Sequence, residues 1–393
     1  MYDKIRYTMG VRSIVSGKVS SALRGVNFSR CSSTSSRLST KFEYAHRVEI
    51  PPQTTALLAG RRWLPGALRP GSKFPDYLAS PRDNFPALYT VKPSASISDF
   101  AKGTRDIIER ELHVHGALLF RGVPVQSPDD FSQFMQGLEY SLMGYYGGSG
   151  YRSTVTKDVM TASDDLPEYT IEPHNEMAYL EQYPMKFFLY CDVPPLPNHG
   201  GESVIVDGRQ ILPRLDPGLV EKLKRLGIRY YRQLPSRKPG GNDGYSSWQE
   251  VFSVEEKPLI EKFMTQHRRS YRWEPDGALT FWYNLPATIV HPKTGQEVWF
   301  NQLSSNHASY FKDHPAWAHV DIPDDKYPCH TYYGDGSEFE EEVIQHIREV
   351  MWETSVGFQM QRGDVIVLDN LLTLHARLGF RGRRRLLVGM SAD

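Results

Sequence analysis

Apolar residues recur along this chain with two periods, and the change from one to the other maps its elements. Ile97, Phe100, Ile107, Ile108 and Leu112 fall at helical spacing after Ser96. Ala117 to Phe120 then reads as a short strand, and Ser127-Pro-Asp-Asp130 sets a capping serine before a first-turn proline and two acids. That signature opens a helix expected to reach about Tyr140. Farther on, strand patterning predominates. Candidates are Lys186 to Val193, Ser203 to Val206, Ile228 to Leu234, Thr280 to Leu285, Ala287 to Val290, Glu297 to Asn301, Ser355 to Gln359, Asp364 to Leu368 and Arg384 to Ser391. His291-Pro-Lys-Thr-Gly295 reads as a hairpin loop. Helices are expected from Asp216-Pro217 to Gly227 and from Val254 to Gln266. A third is expected after the capping box of Ser337 and Glu340, with Phe339, Val343, Ile347, Val350 and Met351 on one face. Many short strands with few helices predict a mainly β, α+β fold, a sandwich or jelly roll rather than a doubly wound sheet.

Two segments fall outside this pattern. Residues 1–42 carry Lys4, Arg6, Arg12, Lys18, Arg24, Arg30, Arg37 and Lys41 against one acid, Asp3, and are rich in serine. This is the composition of a mitochondrial transit peptide, and mitochondrial location is the expectation; a leader without an address, and a cytoplasmic protein, is the alternative. Residues 43–95 are rich in proline and glycine and are expected to form an irregular arm against a domain spanning 96–393.

Composition narrows the function. Lys plus Arg and Asp plus Glu both number 46 in 393 residues, so the net charge is zero, which argues against nucleic-acid binding by counterion release. Cys31, Cys191 and Cys329 share no close spacing and suggest neither a zinc ribbon nor a disulfide framework. No apolar run approaches the roughly 18 residues of a membrane span.

The chemistry begins with His174-Asn-Glu176, an H-x-E element whose imidazole and carboxylate would share one side of an extended strand. Two such close ligands need a third from elsewhere, and His375, just beyond the apolar run Asp364 to Asp369, is the best placed. Two histidines and a carboxylate form the facial arrangement of non-haem iron(II) oxygenases, which leaves coordination positions open for 2-oxoglutarate and dioxygen. His319-Val-Asp321, with Cys329-His330 nearby, has the same spacing but lies in a loop-like stretch where surface exposure is expected. A dicarboxylate co-substrate also needs a cation, and Arg383-Arg-Arg385 opens the last strand. Strand alternation turns only part of that run inward, and Arg385 is the expected inward residue. For the substrate, Arg152 after Gly147-Gly-Ser-Gly is a candidate anion contact, and Trp299 and Asn301 sit on a barrel strand from which one lines the pocket.

These residues in this order resemble the taurine dioxygenase and clavaminate synthase superfamily: His174-x-Glu176, Gly200-Gly-Glu-Ser203, His291-Pro-Lys-Thr-Gly295, Gly363-Asp364, Asp369-Asn370, His375 and Arg385. Pro173-His-Asn-Glu-Met-Ala-Tyr179 and Phe187-Phe-Leu-Tyr-Cys191 are closest to its clavaminate synthase-like, syringomycin-biosynthesis-hydroxylase-like branch. The resemblance covers about Arg152 to Ala392. It implies a double-stranded β-helix with inserted and flanking helices, Fe(II) as cofactor and 2-oxoglutarate as co-substrate. The implied reaction is hydroxylation of a small molecule with O2, releasing succinate and carbon dioxide. It also implies that Ser203 replaces a threonine beside the co-substrate carboxylate, and that Arg385, or Arg384 after a one-residue slip, is the anchor. Two other classes use the same ligands: a non-catalytic jelly-roll metal binder, and a zinc-dependent hydrolase.

Overall fold

A strand with a continuous apolar run belongs at the centre of a sheet, and Lys186–Val193, apolar from Phe187 to Cys191 and buried over its middle, occupies that place. In the computed structural model, which describes residues 45–49, 55–82, 84–91, 96–145, 148, 152–238 and 246–393, it pairs antiparallel with Val365–Asp369 on one side and Arg385–Ser391 on the other. These three strands are the middle of an eight-stranded sheet. Ala117–Arg121, Ala87–Val91 and Ala45–Val48 extend one edge, and Val159–Thr161 and Thr154–Thr156 the other. The expected leader, residues 1–42, lies outside the described residues.

A four-stranded sheet faces it, in the order Ser355–Phe358, Ser203–Asp207, Thr373–Arg377, Ile171–His174. Ile205, Val356 and Phe358 of this smaller sheet share one buried layer with Leu119, Phe187, Leu189, Ile366 and Val388 of the larger. On the outer side of the larger sheet, helices Ile97–His115 and Pro128–Gly137 place Phe100, Ile108, Phe131 and Phe134 against Leu118, Phe120, Phe188 and Val367. Ser127 caps the second helix as the sequence predicts, and Ser96 caps the first, each accepting from a backbone N–H three residues on. The outer side of the smaller sheet is covered by the proline- and glycine-rich arm. Leu58, Leu64, Phe74 and Leu78 pack there with Trp352 on Val204 and Ala376.

Between the strands Ser203–Asp207 and Ser355–Phe358 the chain inserts a second four-stranded sheet, ordered Ser270–Trp273, Leu279–Leu285, Ile228–Leu234, Cys329–Tyr333. Its inward residues Tyr230, Leu234, Phe281 and Tyr283 join a buried cluster with helices Pro217–Leu226 and Glu341–Glu353.

Several expectations change. The arm is irregular over most of its length but contributes both strands at one edge of the large sheet. The last helix begins at Glu341, beyond the predicted capping box, because Ser337 hydrogen-bonds Asp335 at 2.7 Å instead of capping. The strand expected from Glu297 to Asn301 ends at Trp299.

Candidate active site

His375 lies within the strand Thr373–Arg377 and is the direct ladder partner of His174, the last residue of Ile171–His174. Their rings stand 4.3 Å apart between centroids. The strand stops at His174, so alternation does not bring Glu176 inward; a turn clamped by Asn370 does. The Asn370 amide accepts from the Glu176 N–H at 2.7 Å and donates to the Glu176 carbonyl at 3.0 Å, while Asn175 donates to the Asn370 carbonyl at 2.7 Å. The result is one ligand atom each from His174, Glu176 and His375, all within 4.8 Å of one another, the one such cluster among the described residues.

The protonation states suit a metal. A carbonyl only accepts, so His174 Nδ1 carries the hydrogen of its 2.9 Å contact to the Glu172 carbonyl and leaves the Nε2 lone pair free. Burial, reinforced by repulsion from His375, lowers the His174 pKa to about 3, so the ring is neutral. Burial alone would raise Glu176, but Arg152 and the two histidines hold it at about 2, an anion. Glu172 is itself fixed from behind: Arg348 donates to its carboxylate at 2.8 Å with both side chains buried. His375 Nε2 lies 3.4 Å from Glu176 Oε2, and Arg152 Nη2 donates to that same oxygen at 2.7 Å.

These groups open onto a cavity of about 810 Å³ whose wall includes Arg152, Tyr179, Ser203, Arg232, Gln302 and Arg384. That volume takes a co-substrate and an organic substrate together.

Residues 84–391 match the model of the family described as taurine catabolism dioxygenase TauD, TfdA. The chain belongs to the TauD, TfdA family. It is accordingly an oxidoreductase, a dioxygenase dependent on iron and 2-oxoglutarate. Among its relatives is the dapdiamide synthesis protein DdaC of Enterobacter agglomerans, 32% identical over 306 residues, covering 77% of this chain and 90% of that one. A clavaminate synthase-like protein of Arabidopsis thaliana is 29% identical over 324 residues, covering 81% and 93%. Among solved structures, PvcB of Pseudomonas aeruginosa is 14% identical with a TM-score of 0.44, covering 78% of this chain and 84% of that one.

In this TauD, TfdA family dioxygenase the arginine expected to point inward is displaced by one. Arg385 is half exposed and pairs with Asp192 outside the cavity. Arg384 is the residue in the cavity wall, donating to the Gly201 carbonyl at 2.9 Å and to Ser203 Oγ at 3.4 Å. The cause is a register shift between Arg385 and Leu386, an irregularity that breaks the alternation on which the inward assignment rested. Burial and the nearby Arg377 lower Arg384 to about 9.

Ser203 and Arg152 do line the cavity. Asn301 does not. Beyond the strand end at Trp299 its amide donates to the Ala287 carbonyl at 2.7 Å and accepts from the Leu303 N–H at 2.9 Å, so both ends serve the backbone. Trp299 is buried in the core. His319 is exposed at the cavity edge, and no metal-binding cluster forms around it among the described residues.

Sequence reasoning missed Arg232 and the clamp made by Asn370. The signal for Arg232 is present: it shares the buried phase of Ile228, Tyr230 and Leu234 in the strand Ile228–Leu234, where a charge has no structural reason to be.

Proposed function

We propose that His174, Glu176 and His375 hold the iron, that Arg384 with Ser203 anchors the far carboxylate of 2-oxoglutarate, and that the enzyme hydroxylates a small molecule with release of succinate and carbon dioxide. The observation that carries this reading is the convergence of two imidazoles and one ionised carboxylate at the wall of a cavity that also contains the Arg384 guanidinium. When bound, iron supplies the open coordination positions at which 2-oxoglutarate and oxygen react.

The chain's own residues do the rest. The Glu172 carbonyl fixes the ring orientation of His174, and Asn370 fixes the backbone of Glu176. Arg384 and Ser203 offer N–H and O–H donors to a carboxylate, a charge-assisted contact that sets the position of the co-substrate. The inserted sheet walls the cavity and restricts water. Arg152 donates to the Glu176 carboxylate at 2.7 Å and keeps that ligand in its anionic form. The two facing sheets are the halves of a double-stranded β-helix in this reading, and the basic, serine-rich leader is a mitochondrial address.

The test is succinate formation from 2-oxoglutarate in air, with Fe(II) as the only metal. The proposal expects slow succinate release by the wild type even without the organic substrate, and none from His375→Ala. A folded wild type that forms no succinate but hydrolyses esters or amides with Zn(II) would replace this reading with the hydrolase one.

A further inference from the structure

Buried charges in proteins are almost always neutralised, because taking an ion from water costs several kcal/mol unless a partner repays it. Four other buried arginines of this chain each have an oxygen partner. Arg348 meets the Glu172 carboxylate at 2.8 Å, Arg152 meets Glu176 at 2.7 Å, and Arg377 donates to the carbonyls of Leu166 and Tyr169 at 2.7 and 2.9 Å. Even Arg384 has the Gly201 carbonyl.

Arg232 breaks that pattern. Its side chain is in the buried set at 8% exposure and faces the cavity. Among the described residues it makes no ion pair and donates to no oxygen: the Cys329 sulfur is its side-chain hydrogen-bond partner, and its Nε is buried without one, as is that of Arg377. Its ladder neighbours on either side are Phe281 and Cys329, so the row across the inserted sheet is an aromatic ring, a guanidinium and a thiol. The Phe281 ring lies 5.9 Å from the guanidinium carbon, and Cys329 lines the cavity beside it. Nothing in that row supplies negative charge. Arg269, over the Tyr283 ring at 4.4 Å, adds to the positive potential.

Such a residue stabilises the fold less than a methionine or leucine of its size would, so it marks a ligand. The donors proposed for the co-substrate are Arg384, just before the strand Arg385–Ser391, and Ser203 of the facing sheet, whereas Arg232 stands on the inserted sheet. Tyr145 and Tyr179, both in the cavity wall, lie within electrostatic range of Arg232 and of Arg152 at the metal end, which places the two cations on one path. A single guanidinium without a backbone nest matches one negative charge, presented as a planar pair of oxygens.

We propose that Arg232 anchors a carboxylate of the organic substrate, so that the dioxygenase acts on an anionic small molecule held between the inserted sheet and the metal. The inference rests on the oxygenase reading and adds the substrate's charge and the residue that selects it.

The test compares wild type, R232M and R232K, each loaded anaerobically with Fe(II) and saturating 2-oxoglutarate, with acetate as the anionic probe and acetamide as its neutral counterpart at constant ionic strength. R232M is expected to melt at least about 2 °C above the wild type, because an uncompensated charge has been removed from the interior. Acetate should raise the midpoint of the wild type and, more weakly, of R232K, but not of R232M. Acetamide should raise none of them. A lower midpoint for R232M, or an acetate response equal in wild type and R232M, including none in either, overturns the proposal. Should R232M not fold, Arg232 is structural and the proposal fails. The visible absorption of the Fe(II)–2-oxoglutarate chelate, recorded on the same samples, separates the two questions: its absence from the wild type sinks the oxygenase reading, whatever acetate does.

Discussion

The space behind the metal centre and the wall in front of it are both rich in buried arginine, yet they are built on opposite principles. Behind it, Arg348 is closed on Glu172, Ser309 and the Ser304 carbonyl, while Arg377, at the cavity wall, is held by the Leu166 and Tyr169 carbonyls although its Nε has no partner. In front, Arg384 holds one carbonyl and a long hydroxyl contact, and Arg232 holds no oxygen among the described residues. A closed cation fixes the backbone that carries His174; an open cation is the one proposed to receive an anion. Burial alone therefore does not distinguish structural from functional arginines, whereas the count of oxygens around each guanidinium does.

The comparison can be broken most severely from behind. Arg348→Met leaves the Glu172 carboxylate buried and unpaired, and should cost about 3–5 kcal/mol of stability, read as the shift of the urea midpoint at constant slope. A loss under about 1 kcal/mol would mean that the rear network is not closed as described. In front, Arg384→Met should leave the fold intact and weaken 2-oxoglutarate by roughly 10- to 150-fold, the worth of a charge-assisted contact of about 1.5–3 kcal/mol, measured as the half-saturating concentration for succinate formation. Arg385→Met, at the half-exposed Asp192 pair, should change that concentration by less than about twofold. Reversal of the last two effects would restore Arg385 as the anchor.

Much of this was legible in the sequence, for identifiable reasons. Lys186–Val193 and Ile228–Leu234 have the predicted bounds because their patterns are long and flanked by proline and glycine. Thr373–Arg377 and Ile171–His174, which carry both histidines, are not among the strands that the apolar pattern picks out, although His174 itself is expected in extended backbone. The first buries a threonine and an arginine, the second contains Pro173, and both are short. The spacing of His174 and Glu176 points to the right pair through strand alternation, whereas a turn held by Asn370, nearly two hundred positions away, orients the carboxylate. Arg384 and Arg385 could not be separated, because a register shift is a property of the paired strands and not of either one.

The central claim is that His174, Glu176 and His375 hold iron in a site that 2-oxoglutarate completes. It is tested most directly by adding Fe(II) and 2-oxoglutarate to the purified protein without oxygen and recording the visible charge-transfer band of the chelate, with His174→Ala as control. The account predicts a band that saturates at one iron per chain and is absent from the variant. A folded wild type without that band, or an unchanged band in His174→Ala, would contradict it.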